Sequence, residues 1–282
     1  MEEGMLFLCA TPIGNLDDMT FRVLETLKEA DVIAAEDTRN TIKLLNRFEI
    51  NTPMTSYHEY NKVEKAYTLI EQMKKGAKVA LVTDAGTPAI SDPGEVLVSM
   101  CLKEGIKVTS LPGACACITA LTLSGLSTRR FCFEGFLPSD KKERQYVLEA
   151  LKTEERTTIL YEAPHHLKKT LAELSEALGS RKITICRELT KKFETVMPTD
   201  LCAAVDYYEA NEPKGEYVLV LEGRPREELE AETHAKWEEM SIEEHMAVYE
   251  SKGIDRKEAM KMVAKDRGVS KREIYSALCA EQ

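Results

Sequence analysis

What the sequence lacks narrows its function first. No apolar run approaches the roughly 20 residues that cross a bilayer. The opening Met1-Glu2-Glu3-Gly4 is acidic, and the apolar run from Met5 to Ala10 is too short for a signal peptide. A cytoplasmic protein without a membrane partner is expected. The eight cysteines (Cys9, Cys101, Cys115, Cys117, Cys132, Cys186, Cys202 and Cys279) include no Cys-x-x-Cys pair. Structural zinc needs ligands clustered at short spacing. Only Cys115 and Cys117 lie close, so buried free thiols account for the set better than a metal site or a disulfide scaffold. There is no Gly-x-x-x-x-Gly-Lys-Ser/Thr loop for a nucleoside triphosphate, no Gly-x-Gly-x-x-Gly after the first apolar strand for a dinucleotide, and no Gly-x-Ser-x-Gly elbow. His165 and His166 are adjacent, and neighbours on a helix point in different directions, so one shared metal is not expected.

Positive charge is also short. The net charge of −10 taken alone argues against a nucleic-acid partner. The distribution is uneven: residues 224–250 carry three basic and nine acidic side chains, whereas 251–275 carry eight basic and four acidic. An acidic stretch followed by a basic tail is compatible with RNA.

What is present is ordinary for a soluble globular chain, with 43% hydrophobic and 30% charged residues. Short apolar strands alternate with helices from Leu6 onward. The pattern predicts strands at 6–10, 32–35, 79–83 and 107–111, and helices at 20–30, 38–48, 62–75 and through Lys103. Gly76 and Gly105 close the last two helices. That rhythm implies a mainly parallel sheet covered by helices. Near Arg129 it resets, with strands of a second sheet predicted at 131–136, 158–161, 182–186 and 217–221. Leu167, Leu171, Leu174 and Leu178 mark a helix over 165–178. The expected organisation is an N-terminal α/β domain (1–115), a C-terminal α/β domain (116–223), an acidic linker (224–250) and a helix-turn-helix-like tail (251–282). Asp255-x-x-Glu258 and Ser270-x-x-Glu273 read as capping boxes that open two tail helices. The tail is either an appendage packed on the body or a nucleic-acid contact.

Ligands on open α/β sheets bind beyond the carboxyl ends of the strands. Four Gly/Pro-rich loops occupy such positions: 11–15, 84–88, 112–114 and 162–166. Glycine lets backbone approach a ligand and proline stiffens the approach. One such loop is an ordinary turn, whereas four suggest a single cleft.

The residues in these loops form an ordered series: Ala10-Thr-Pro-Ile-Gly-Asn-Leu16, Ala35-Glu-Asp-Thr-Arg39, Thr83-Asp-Ala-Gly-Thr-Pro88, Ile90-Ser-Asp-Pro-Gly94, Leu111-Pro-Gly-Ala114, Glu134-Gly-Phe-Leu-Pro138, Tyr161-Glu-Ala-Pro-His165, Arg187-Glu-Leu-Thr-Lys191 and Lys214-Gly-Glu-Tyr217. The series resembles the ribosomal RNA small-subunit methyltransferase I family over residues 5–223 and, more weakly, in the tail. The resemblance implies a tetrapyrrole-methylase-like (class III) methyltransferase fold: two α/β domains with the cofactor cleft between them, plus a small helical C-terminal region. It implies S-adenosylmethionine as cofactor, the 2′-oxygen of a decoding-centre cytidine in 16S ribosomal RNA as acceptor, the small ribosomal subunit as partner, and a homodimer. Most tetrapyrrole-methylase relatives carry Gly-x-Gly-x-Gly-Asp after the first strand. This chain has Thr11-Pro12-Ile13-Gly14-Asn15-Leu16-Asp17 there, which favours RNA over a tetrapyrrole.

Carried over by position, the cofactor-binding residues are Pro12, Gly14, Asp84, Ala85, Gly86, Thr87, Gly113, Ala114, Cys115, Ala116, Tyr161 and Ala163. Methyl transfer is an in-line displacement in which the cofactor brings its own leaving group, so positioning supplies much of the rate and no metal is needed. A ribose hydroxyl is a weak acid, and a base or acceptor helps. Glu36, Asp37, Arg39 and Glu162 are the candidates for orienting or deprotonating it, with Arg39 available for a phosphate. Helix capping is an equal role for Asp37, and capping the following turn is one for Asp84. Two other readings stay open: a tetrapyrrole methylase of the same fold, and a non-catalytic RNA-binding ribosome-assembly factor.

Overall fold

The computed structural model describes residues 3–229, 231, 237 and 240–280. The chain forms two compact units, Met1–Leu148 with Thr157–Glu222, and Glu149–Arg156 with Gly223–Gln282. Both sheets belong to the larger unit.

The first sheet contains β1 (Met5–Cys9), β2 (Val32–Ala35), β3 (Met54–Ser56), β4 (Lys78–Val82) and β5 (Lys107–Leu111), in the order β3-β2-β4-β1-β5. Every pairing in it is parallel. Side chains on a strand alternate between faces, so a parallel strand buried on both sides needs apolar residues at every position. Val79 and Leu81 accordingly join one core cluster while Ala80 and Val82 join another. The second cluster is closed by α1 (Phe21–Glu29) and α2 (Thr38–Arg47), through Val23, Leu27 and Leu45. The first is closed by α3 (Lys62–Lys74) and α4 (Gly94–Lys103), through Leu69, Met73 and Leu97. Truncating a fully buried leucine such as Leu6, Leu27 or Leu97 to alanine costs about 2–5 kcal/mol. Thr20 and Asp37 cap α1 and α2 with their side-chain oxygens. After α3 and α4 the chain reverses at Gly76 (φ 101°) and Gly105 (φ 70°), a backbone state that suits glycine.

The second sheet departs from the parallel plan. Its strands are β6 (Phe131–Phe136), β7 (Thr157–Glu162), β8 (Lys182–Arg187), β9 (Thr195–Asp200) and β10 (Tyr217–Leu221), in the order β6-β7-β10-β8-β9. Only β6 and β7 run parallel; β10 is antiparallel to both of its neighbours, and β8 and β9 pair antiparallel. Helix α5 (Ala116–Leu123) covers one face, packing Cys117, Ala120 and Leu121 on Ile159, Cys186, Val218 and Val220. Leu160, Ile183, Ile185 and Leu219 point to the opposite face by alternation and are buried, as are Leu167, Leu171 and Leu174 of α7 (Pro164–Leu178) and Leu201 and Ala204 of α8 (Leu201–Ala210). Helix α6 (Lys141–Leu151) precedes β7.

In the smaller unit, α9 (Ile242–Glu250), α10 (Arg256–Asp266) and α11 (Lys271–Ala280) enclose their own core of Met246, Ala259, Val263, Ala264, Ile274 and Leu278. The Ser270/Glu273 box forms with both reciprocal bonds, at 3.3 and 2.9 Å. At Asp255 only half a box forms, because Glu258 turns to Lys261 instead. A further complete box, Ser241 with Glu244, opens α9. Residues 242–250 of the stretch expected as linker are therefore helix, and positions 230, 232–236 and 238–239 of it lie outside the described residues. His245 is fully buried in this unit, 3.3 Å from Asp266 through Nε2, and its Nδ1 accepts from Arg267 at 3.2 Å. Among the described residues no helix is long and apolar enough to cross a membrane.

Candidate active site

The loops after β1 and β4 are joined by main chain. Thr11 and Gly86 exchange two backbone hydrogen bonds, N–H to C=O, at 2.9 and 3.0 Å. Gly86 holds φ at 86°, where a side chain would be strained. The Thr11 hydroxyl donates to the Thr83 carbonyl at 3.2 Å, and the Thr87 hydroxyl donates to the Ala114 carbonyl at 2.9 Å, which ties in the loop after β5. Beyond Thr87 the backbone enters the left-handed region at Ala89 and Ser91, with φ of 67° and 63°. Such residues cost about 1–3 kcal/mol each unless their surroundings hold them. Asp92 does so here, its carboxylate accepting from the amides of Ala89, Ile90 and Gly94. Gly113 packs so closely that a Cβ there would lie 2.6 Å from that of Ala10.

These loops wall a cavity of 390 Å³ that also takes in the start of α5, the β7–α7 junction and the first residues of β10. Of the sequence-predicted residues it gathers Ala85, Gly86, Thr87, Cys115, Ala116, Tyr161, Glu162 and Ala163. The volume is within the range of small-molecule sites. Ala85, Gly86, Thr87, Cys115, Ala116 and Ala163 put small side chains on its walls, beside the larger Ile13, Ile90, Phe136, Tyr161 and Leu189. Cys115 is the N-cap of α5 and makes no side-chain cap bond. The Tyr161 hydroxyl accepts from the Cys117 amide at 3.2 Å, and its ring meets Phe133 and Phe136 edge-on. The sulfur atoms of Cys115 and Cys117 are 3.3 Å apart. The hydrogen bond from Cys117, helped by nearby amides and opposed by burial, pulls the Cys115 thiol down to about 6; the same bond and burial push Cys117 upward.

A second cavity of 460 Å³ adjoins the first, with Ile13, Ala85 and Glu216 on both rims. Pro12, Gly14 and Asp84 line this one and not the first. Gly113 and Ala114 line neither, and serve from behind the wall through the Ala10 and Thr87 contacts. Asp84 is held by the Asp37 amide on one oxygen (3.2 Å) and the Asn40 side-chain amide on the other (3.4 Å). Partial burial and the nearby charge of Glu36 raise the Asp84 carboxyl above its ordinary value. Glu36 itself accepts from the Thr83 hydroxyl at 2.6 Å.

The remaining candidates are already engaged. Asp37 caps α2 and forms a two-pronged pair with Arg39 at 3.1 and 2.8 Å, which pulls its carboxyl down to about 2. Glu162, only 6% exposed, accepts from the Ala163 amide at 2.8 Å and from the Thr170 hydroxyl at 2.5 Å. Thr170 in turn accepts from Arg144 at 2.7 Å, and Arg144 pairs with Glu173 at 2.6 Å.

Ile13, Ile90, Phe136, Pro164, Leu189, Glu216, Tyr217 and Val218 also line the first cavity, although none was a predicted site residue. The motifs 187–191 and 214–217 carry the signal for Leu189, Glu216 and Tyr217. Glu188 and Thr190 sit at φ of 51° and 65°, and the Thr190 hydroxyl accepts from the Asn15 amide at 3.0 Å, joining the loops of the two sheets.

The model of the tetrapyrrole (corrin/porphyrin) methylases matches residues 5–204. Ribosomal RNA small subunit methyltransferase I of Halalkalibacterium halodurans is 51% identical over 98% of this chain and 94% of its own length. The Bacillus subtilis protein of that name is 48% identical over 99% and 95%, and the Escherichia coli O157:H7 one 41% identical over 99% and 96%. Among solved structures, a diphthine synthase superposes with a TM-score of 0.62 at 17% identity, covering 77% of this chain and 90% of its own. Uroporphyrin-III-C-methyltransferase from Thermus thermophilus superposes with a TM-score of 0.55 at 18% identity, covering 77% and 94%. The structural likenesses speak for the fold, and the curated relatives extend the match across nearly the whole chain. With its linked loops and paired cavities, the chain belongs to the tetrapyrrole methylase family, in its branch of S-adenosylmethionine-dependent ribosomal RNA small subunit methyltransferases I.

Proposed function

We propose that this chain methylates the 2′-hydroxyl of a cytidine ribose in 16S ribosomal RNA, with the 390 Å³ cavity for S-adenosylmethionine and the adjoining one for the acceptor nucleotide. The observation that carries the reading is the shared rim at Ile13, Ala85 and Glu216, across which a nucleotide and a cofactor can meet. The backbone of 85–87, the start of α5 and Tyr161 to Ala163 would hold the cofactor. When bound, it supplies an electrophilic methyl on a sulfonium that leaves as a neutral thioether. The chain's own part is to align the hydroxyl and accept its proton. Asp84 suits the second task better than Asp37: its pKa is raised, so it is the stronger base, while Asp37 is locked to Arg39. Glu36 and the Asn40 amide position Asp84, and Glu162 braces the wall of the cofactor cavity. In this reading residues 1–115 and 116–223 act as two functional domains, all but 149–156 and 223 of them in the larger compact unit.

A homodimer belongs to the same proposal. Tyr60, Val63 and Tyr67 lie at and along the start of α3 at three- and four-residue spacing, and are 97%, 54% and 62% exposed, an apolar row suited to a second copy. A cytoplasmic location follows from ribosomal RNA as substrate.

The test is transfer of labelled methyl from S-adenosylmethionine to unmodified small ribosomal subunits, mapped by nuclease digestion and mass spectrometry. Label on one cytidine ribose is expected. Asp84→Asn should keep cofactor binding and lose at least 100-fold in turnover, in line with the ~10²–10⁴-fold supplied by general base catalysis. Cofactor binding without label on RNA would refute the proposal.

A further inference from the structure

Helix α2 stands apart in its charge. Among the helices of the described residues it is the only one with basic side chains and no acidic one: Arg39, Lys43 and Arg47 in ten positions, in a chain of net charge −10. The three recur every fourth residue, so they share one face, with successive charges about 6 Å apart along the axis. They are not equivalent. Arg39 is bound on two prongs by Asp37, which neutralises it. Lys43 and Arg47 are exposed, have no ion-pair partner among the described residues, and both line the second cavity. The other cation on that cavity, Lys191, is held between Glu188 at 2.9 Å and Glu216 at 2.7 Å, and brings no uncompensated charge. Asn40, one turn before Lys43, anchors the helix to Asp84.

We propose that Lys43 and Arg47 form the phosphate-docking edge of the acceptor cavity, gripping successive phosphates of the single RNA strand that presents its ribose to Asp84. This rests on the RNA reading above. Two free cations one helical turn apart match the spacing of neighbouring phosphates on an extended strand, and the cavity between them and Asp84 leaves room for the intervening nucleotide. Phosphate contacts fix register without reading bases. These two residues would therefore position the target nucleotide and leave the choice of base to other groups. The overall negative charge of the chain then works as a filter, repelling RNA everywhere except along this edge and at other local basic patches.

The experiment compares wild type, the double variant Lys43→Gln/Arg47→Gln and a control, Lys103→Gln/Lys107→Gln, which makes the same charge change away from both cavities. Binding and methylation of small subunits are measured from low to moderate salt, alongside calorimetric S-adenosylmethionine binding. Losing two phosphate contacts should lower the slope of log K against log salt by about 1.4, at about 0.7 per contact for single strands. KM for subunits should rise on the order of 10-fold, as loss of two charged contacts requires, with kcat and cofactor Kd unchanged. A wild-type slope in the double variant, or an equal drop in the control, overturns the docking edge. Wild type that binds cofactor but labels no RNA overturns the RNA reading itself, and the inference with it.

Discussion

Thr170→Val probes the brace behind the first cavity. The threonine hydroxyl, 1% exposed, donates to Glu162 at 2.5 Å and accepts from Arg144 at 2.7 Å, so one side chain links a buried carboxylate to a guanidinium. Valine keeps the volume and removes both bonds. Hydrogen bonds to charged groups contribute about 1.5–3 kcal/mol each. The lower end applies, because Glu162 keeps the Ala163 amide and Arg144 keeps Glu173 and the Pro138 carbonyl. The expected loss is about 3 kcal/mol, which at about 2–4 °C per kcal/mol is a fall in Tm of about 6–12 °C. Thr170→Ser retains the hydroxyl and should lose only about 1 kcal/mol, for its missing methyl. Thermal melts of the three proteins decide, with calorimetry reporting whether S-adenosylmethionine affinity falls as the Glu162 wall loosens. A Thr170→Val protein within about 0.5 kcal/mol of wild type, below the net worth of one hydrogen bond, would refute the brace.

Other consequences concern the same cavity and the smaller unit. With its thiol pulled down to about 6, Cys115 should alkylate with iodoacetamide well below pH 8 and be shielded by S-adenosylmethionine, as read by mass spectrometry; reaction only above pH 8, or no shielding, would contradict this. Gly113→Val would drive a side chain into Ala10, and cofactor Kd should rise at least 10-fold; an unchanged Kd would show that the loop yields. Burial, reinforced by Arg267 and opposed by Asp266, lowers the His245 pKa. The unfolded chain then takes up the proton first, so the smaller unit is at full stability above about pH 6.5 and loses it as pH falls toward the folded value. Opening free energies in α9–α11, taken from amide exchange after allowance for its intrinsic pH dependence, should fall between pH 7 and 5, and flat values over that range would count against it.

Strands and helices with strong local signals were legible to within a residue or two. Val32–Ala35, Lys107–Leu111, Phe131–Phe136 and Tyr217–Leu221 fall where their apolar runs predict. Strands β3 and β9 were not legible: Met54–Ser56 has three residues, and Thr195–Asp200 is a half-polar edge strand carrying Pro198, which pairing with β8 decides. Helices α6 and α8, absent from the expected elements, carry a legible cap signal in Asp140 and Asp200. The antiparallel order of the second sheet had no local signature, since strand direction is set by what each strand meets in space. Glycine- and alanine-rich loops mark the first cavity because close backbone approach requires such residues. The second cavity takes Pro12, Gly14 and Asp84 from those marked loops, but also Asn40, Thr41, Lys43, Leu44 and Arg47 from α2, a helix whose pattern advertises only its buried face.

The Thr11–Gly86 clasp has a further consequence for how this scaffold diversifies. Both of its bonds are made by main chain, so they are indifferent to the side chain at position 11 and restrict only the glycine. A rim held this way can keep its shape while the sequence drifts around it. The neighbouring second cavity is shaped by side chains such as Asp84, Lys43 and Arg47, none of which makes the clasp. Mutational tolerance should thus differ between the rim held by main chain and the cavity shaped by side chains. Chains only 17–18% identical to this one share its fold.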